Sequence, residues 1–180
     1  MREQVKTPMA GASTRTLVIC ALFITLVYIF TASFHVQLAL HGGLVHFGNV
    51  PALVAAILFG KRMGAVSGGL GMMLFNLFTP HLIIWAPFTL VISAAMGFAV
   101  GLILEKRQTL PYFILAMALA ALIRVTGFYF AGVFLLGNWI TPLDAVIPNL
   151  FQIILAAPLV WIVVKPLRLA LEKTFGGKHV

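Results

Sequence analysis

Arg124 falls near the middle of the apolar run Leu110 to Leu136. A guanidinium in hydrocarbon costs at least about 2.5–3.5 kcal/mol, so it faces a cavity or partner groups and is a functional candidate by default. The alternative is a structural clamp, onto helix carbonyls or onto Asp144, whose own simplest role is capping a helix after Thr141-Pro142. Asn149 and Gln152 lie one turn apart on the last apolar run, and Asn76 sits at a matching depth on an earlier one. Each is an amide that must find donors and acceptors in an apolar setting. Trp85, Tyr129 and Trp139 fall at a similar level, where aromatic residues also serve as interface anchors. Between Phe34 and Val50 lie Gln37, His41, Gly42, Gly43, His46 and Asn49, a polar stretch without formal charge. It either connects two spans or, helped by its two glycines, closes over a ligand. The side chains together outline a hollow with aromatic walls, amides and few charges. That composition suits a small, flat, polar heterocycle.

Covalent and metal chemistry find little support. The four acids Glu3, Glu105, Asp144 and Glu172 form no pair, and no H-E-x-x-H, G-x-S-x-G or P-loop occurs. His35, His41, His46 and His81 fall on one side without a nearby acid, so neither a metal nor a cofactor is expected. A carrier driven by ions needs a buried carboxylate, and none lies within a span. With no nucleotide site either, energy for transport has to come from a partner. A lipid-head-group transferase, the enzymatic alternative, lacks the acids or histidines it needs at the other face.

The elements that hold these residues follow from composition. Of 180 residues, 62% are apolar and 9% charged, against about 25% charged in soluble domains. This excludes a soluble enzyme, a disordered chain and a disulfide scaffold. The expectation is an all-α, multi-pass membrane protein, a bundle of six transmembrane helices in one domain, 1–180. The expected spans run from Thr16 to Phe34, Leu44 to Phe59, Met63 to Phe78, Leu82 to Leu104, Leu110 to Leu136 and Leu143 to Val164. Thr79-Pro80-His81 reads as a tight turn, residues 1–15 as a tail and 165–180 as a basic tail. Leu167, Leu169, Ala170 and Leu171 beside Arg168, Glu172 and Lys173 suggest a short surface helix there. Cys20 is a small apolar filler with no partner for a disulfide.

Charge sets the orientation. The net charge is +8, but the basic residues sit in short segments between spans, which argues for membrane orientation and against nucleic acid. With six spans, every Lys and Arg except Arg124 lies on one side, so both termini are expected to be cytoplasmic. Gly60, Gly64, Gly68 and Gly71, with Ser93, Gly97 and Gly101, form small-residue faces, expected to be an internal packing seam between close helices. Ala21 and Thr25 make a small pair on the first span.

Gly42-Gly43-Leu44-Val45-His46-Phe47-Gly48-Asn49, then Ala55-Ala56-Ile57-Leu58-Phe59-Gly60 and Gly64-Ala65-Val66-Ser67-Gly68-Gly69-Leu70-Gly71, carry a family likeness. With Trp85-Ala86-Pro87-Phe88-Thr89-Leu90 and Met96-Gly97, they resemble the substrate-specific S components of energy-coupling factor (ECF) vitamin transporters. The motifs span residues 16 to 104; beyond them the likeness is one of span count. The resemblance implies a subunit of the bacterial cell membrane, not itself an enzyme, that captures a vitamin from outside under a lid formed after the first span. It implies as partners a transmembrane coupling protein and two cytoplasmic ATPases, with Ala21 and Thr25 on the surface that meets the coupling protein. Asn49 stands where many relatives have aspartate, Ser93 where many have lysine, and Thr25 where alanine is usual. The likeness is greatest to the hydroxymethylpyrimidine and pyridoxine group, while Arg124 leaves an anionic vitamin such as pantothenate open. The expected binding residues are His46, Asn49, Asn76, Trp85, Arg124, Tyr129, Asn149 and Gln152. The competing expectation is an assembly subunit that has no ligand and uses its glycine seams.

Overall fold

The computed structural model of the chain describes residues 13–39 and 43–175. Among them are six helices and one hairpin: α1 (Thr14–Ser33), β1 (His35–Ala39), β2 (Gly43–His46), α2 (Asn49–Phe59), α3 (Lys61–Leu77), α4 (Ala86–Leu104), α5 (Leu110–Leu136) and α6 (Val146–Phe175). Two 3₁₀ segments, Pro80–Trp85 and Thr141–Ala145, lead into α4 and α6. Each has a proline in its first turn, where the missing N–H would have had no helical partner. Ser13 caps α1 by accepting the Thr16 N–H.

Four segments are long and apolar enough to cross a membrane, by length and composition: Thr14–Ser33, Pro80–Leu104, Leu110–Leu136 and Thr141–Lys173. Their outward faces are apolar. Leu17, Val18 and Leu22 on α1, Leu122 and Phe134 on α5, and Ile147, Ile154 and Ile162 on α6 are all exposed. Such continuous apolar surface is unfavourable in water and natural in lipid. α2 differs. Its 11 residues rise only about 16 Å, roughly half a hydrocarbon core, and every position from Asn49 to Leu58 is buried. A helix that is apolar all round belongs at the centre of a bundle.

Several expectations change here. The chain is not wholly helical, because 35–46 contains a hairpin where a polar loop and the start of the second span were expected. β1 and β2 pair antiparallel, with Val36 opposite Val45, Gln37 opposite Leu44 and His35 opposite His46. β-branched residues opposite each other, with Gly43 opening the second strand, suit a hairpin, and they outweigh the helical reading of Leu44 to Gly48. The second helix therefore starts at Asn49 and not at Leu44. β2 is the inner strand, with Val45 and His46 buried, while Val36 and Leu38 of β1 are exposed. His41 and Gly42, the tail up to residue 12 and residues 176–180 lie outside the described residues. The expected surface helix at 167–173 is not separate. α6 runs through it, past Pro158 and Pro166, with Leu167 and Leu171 packed on the core.

The glycine faces form the expected seam. A Cβ built on Gly64 would stand 2.3 Å from Ala56 Cβ, one on Gly97 2.3 Å from the Gly64 carbonyl oxygen, and one on Gly101 2.3 Å from Lys61 Cα. Backbones of α2, α3 and α4 thus meet at distances only glycine permits, maximising the dispersion contact that holds helices together in lipid. At one end of this seam Glu105 accepts from the Lys61 backbone N–H at 2.8 Å and pairs with Lys61 Nζ at 2.9 Å. The basic turns after α2 and after α4 therefore lie side by side, as the charge pattern requires.

Candidate binding site

Arg124 reaches the interior because α5 turns its face of Ala116, Ala120, Arg124 and Phe128 inward, the small residues below making room for the large ones above. The side chain is 2% exposed. Its Nη1 donates to Asn49 Oδ1 and its Nη2 to His46 Nε2, both at 3.3 Å, and the guanidinium lies 4.9 Å from the Phe128 ring centre. With Nε2 accepting, the imidazole is neutral and carries its proton on Nδ1. Asn49 in turn donates through Nδ2 to Gln152 Oε1 at 2.8 Å, and Gln152 Nε2 donates to the carbonyl of Leu44. One chain of polar groups thus ties α5, α2, α6 and the inner hairpin strand together. Among the described residues its members are satisfied only in part. Arg124 Nε and His46 Nδ1 are buried without a hydrogen-bond partner.

Above this network lies a cavity of about 30 Å³, lined by Thr31, Leu44, His46, Met72, Asn76, Leu82, Trp85, Thr89, Arg124 and Phe128. Trp85 and Phe128 form a tilted aromatic pair, centres 6.3 Å apart, and Asn76 Nδ2 donates to Thr89 Oγ1 at 2.7 Å. The volume holds about two water molecules. Anything larger requires the wall to move, and the inner hairpin strand contributes Leu44 and His46 to that wall.

Of the eight expected binding residues, His46, Asn76, Trp85 and Arg124 line the cavity. Asn49 and Gln152 stand behind it, each buried and bonded to a neighbour in the polar network. Asn149 is buried on α6, its amide donating to the Ala145 carbonyl of its own helix at 2.9 Å. Tyr129 is not brought to the cavity; its hydroxyl donates to the Trp139 carbonyl at 3.0 Å in an exposed position. The clamp onto Asp144 is not formed either, because Arg124 is held by Asn49 and His46. Thr31, Leu44, Met72, Leu82, Thr89 and Phe128 were not anticipated. Three of them stand four residues from an expected one, Met72 from Asn76, Thr89 from Trp85 and Phe128 from Arg124. The same-face rule for helices was therefore a usable signal. Ala21 and Thr25 are exposed on α1, and the Thr25 hydroxyl donates to the Ala21 carbonyl at 2.9 Å.

Comparison with known proteins supplies the family. An uncharacterised protein of Pyrococcus woesei, described only by its place in a gap 3' region, is 31% identical over 87 residues. That match takes in 48% of this chain and 57% of the relative, so the chain spans little more than half the length of the curated relative it matches. Residues 11–173, nearly the whole chain, match the family described as ECF-type riboflavin transporter, S component. The chain belongs to that family of S components.

Proposed function

We propose that this chain is the vitamin-capturing subunit of an ECF importer, taking a small heterocyclic vitamin or precursor into the cavity beneath the hairpin. The observation that carries this reading is the Trp85–Phe128 pair, two aromatic faces bordering a cavity that also presents the Asn76 amide and the Arg124 guanidinium. Stacked rings hold a flat ligand, and amides read its ring nitrogens and hydroxyls. Riboflavin, after which the family is described, is one such ligand; hydroxymethylpyrimidine and pyridoxine are smaller members of the same chemical class. His46, Asn76, Trp85 and Arg124 are the contact residues, with Asn49, Asn149 and Gln152 holding the walls.

Six crossings, the second made by β2 with α2, put both termini and the Lys61 and Lys106 turns in the cytoplasm and the cavity outside. A transmembrane coupling protein and two cytoplasmic ATPases then supply the work. The exposed small pair Ala21 and Thr25 on α1 fits the coupling protein, because the Thr25 hydroxyl is satisfied within its own helix and leaves a short apolar surface for close approach.

The test is a titration of the detergent-purified chain with riboflavin, hydroxymethylpyrimidine, pyridoxine and pantothenate, read by melting temperature and calorimetry. One of them raises the melting temperature and binds at one site, and Trp85→Ala weakens it by about tenfold, the size of a lost ring contact. Ala21→Trp leaves that binding intact and abolishes uptake in cells that supply the coupling module. A chain that binds none of them, or a Trp85→Ala variant that binds as well as the parent, contradicts the proposal.

A further inference from the structure

Arg124 is a full positive charge in an almost dry place, and its surroundings do not neutralise it. Its two hydrogen-bond acceptors, the Asn49 amide oxygen and the His46 ring nitrogen, are neutral. Both contacts are 3.3 Å, long beside the usual 2.7–2.9 Å of a charge-assisted bond to a carboxylate. Its Nε–H has no partner, and no carboxylate among the described residues pairs with it. A guanidinium placed only to clamp helices together would be saturated with acceptors, since a buried charge left uncompensated is strongly unfavourable. This one is under-satisfied and lines the cavity. Beside it stands the flat face of Phe128, with Trp85 beyond.

We infer that Arg124 is the anion-recognising group of the cavity, and that the ligand is a flat heterocycle bearing a single carboxylate, the countercharge this protein does not provide for itself. The inference rests on the vitamin-capturing reading and narrows its substrate class. One negative charge is specified and not two, because the other lining residues include no lysine or second arginine to meet a phosphate dianion. The guanidinium carries five N–H donors, of which Asn49 and His46 take two, so donors remain for a carboxylate. Asn49 is the natural control, since replacing its amide with a carboxylate would give Arg124 an internal countercharge and make an anionic ligand redundant.

The experiment uses the full chain purified from cells grown in rich medium, together with Arg124→Gln and Asn49→Asp. Water-soluble compounds released by denaturation are separated by anion exchange and weighed by mass spectrometry, which leaves co-purified lipids aside. The parent chain is expected to release a phosphorus-free carboxylic acid in near-stoichiometric amount. Both variants are expected to release about tenfold less or lower, the loss that goes with one charge-assisted hydrogen bond. Asn49→Asp covers the case in which Arg124→Gln does not fold, because it keeps the guanidinium and gives it a partner. It also removes the N–H donated to Gln152, so its melting temperature is read beside the release. A variant as stable as the parent that still holds the acid overturns the inference. Release of a neutral vitamin such as riboflavin overturns the anion inference and leaves the vitamin-capturing reading standing. A phosphorylated compound overturns the carboxylate assignment. An empty parent chain that no acid or neutral vitamin stabilises overturns both readings.

Discussion

Gly97→Ala is expected to be among the most damaging single changes in the chain, lowering stability by about 3 kcal/mol although it adds one methyl group. The added Cβ would lie 2.3 Å from the Gly64 carbonyl oxygen and 2.5 Å from its carbonyl carbon. Those are backbone atoms of α3, so no rotamer change relieves the contact. α3 and α4 must separate along their length, and the close packing at Gly68 and Gly101 separates with them. Gly127→Ala is the matched control. Its Cβ would meet Ile92 side-chain atoms at 2.8–3.1 Å, which can turn aside, and alanine itself favours helix by about 1 kcal/mol. Thermal unfolding in detergent should place Gly97→Ala well below the parent and Gly127→Ala close to it. Equal melting temperatures for the two would mean that the seam is looser than the geometry requires.

Asn49→Ala is the second large effect. Asn49 is 0% exposed, takes a hydrogen bond from Arg124 and gives one to Gln152. Alanine leaves the Arg124 Nη1 and the Gln152 oxygen buried without those partners. Each unsatisfied group costs about 1–3 kcal/mol, more for a charged one, so a loss of about 3–4 kcal/mol is expected. The damage should spread to the hairpin, because Gln152 also holds the Leu44 carbonyl. Hydrogen exchange across 43–46 checks it. Those amides should exchange faster in Asn49→Ala than in the parent, and unchanged protection would detach the hairpin from the polar network.

These two sites differ in how far the sequence revealed them. The seam was legible, since glycines at spacing four on two apolar runs have few other uses in lipid. α5 was legible to its ends, because Thr109-Leu110-Pro111 starts it and Gly137, at φ +68°, stops it. The hairpin was not. Its strands are short, one lies bare on the surface, and Leu44, Val45 and Phe47 read as the apolar start of the helix that follows, despite His46 and Asn49. Four of the ten cavity-lining residues, His46, Asn76, Trp85 and Arg124, were legible as polar or aromatic residues out of place in a span. Met72, Leu82 and Phe128 were not, because an apolar wall residue has the same composition as a core residue. The partners of Arg124 were hidden by distance along the chain, Asn49 lying 75 and His46 78 positions away. Asp144, the charged residue that sequence proximity suggested, is not one of them.

Locking the hairpin tests the account most directly. His35 and Phe75 bring β1 against α3, their ring centres 5.2 Å apart. With Cys20, the one native cysteine, replaced by serine, His35→Cys and Phe75→Cys can be joined by a short reducible bismaleimide. The cavity at about 30 Å³ is far smaller than any vitamin, so the locked chain should bind none, and cleaving the linker should restore the affinity of the unlinked variant. Undiminished binding while the linker is intact would place the ligand somewhere other than beneath the hairpin.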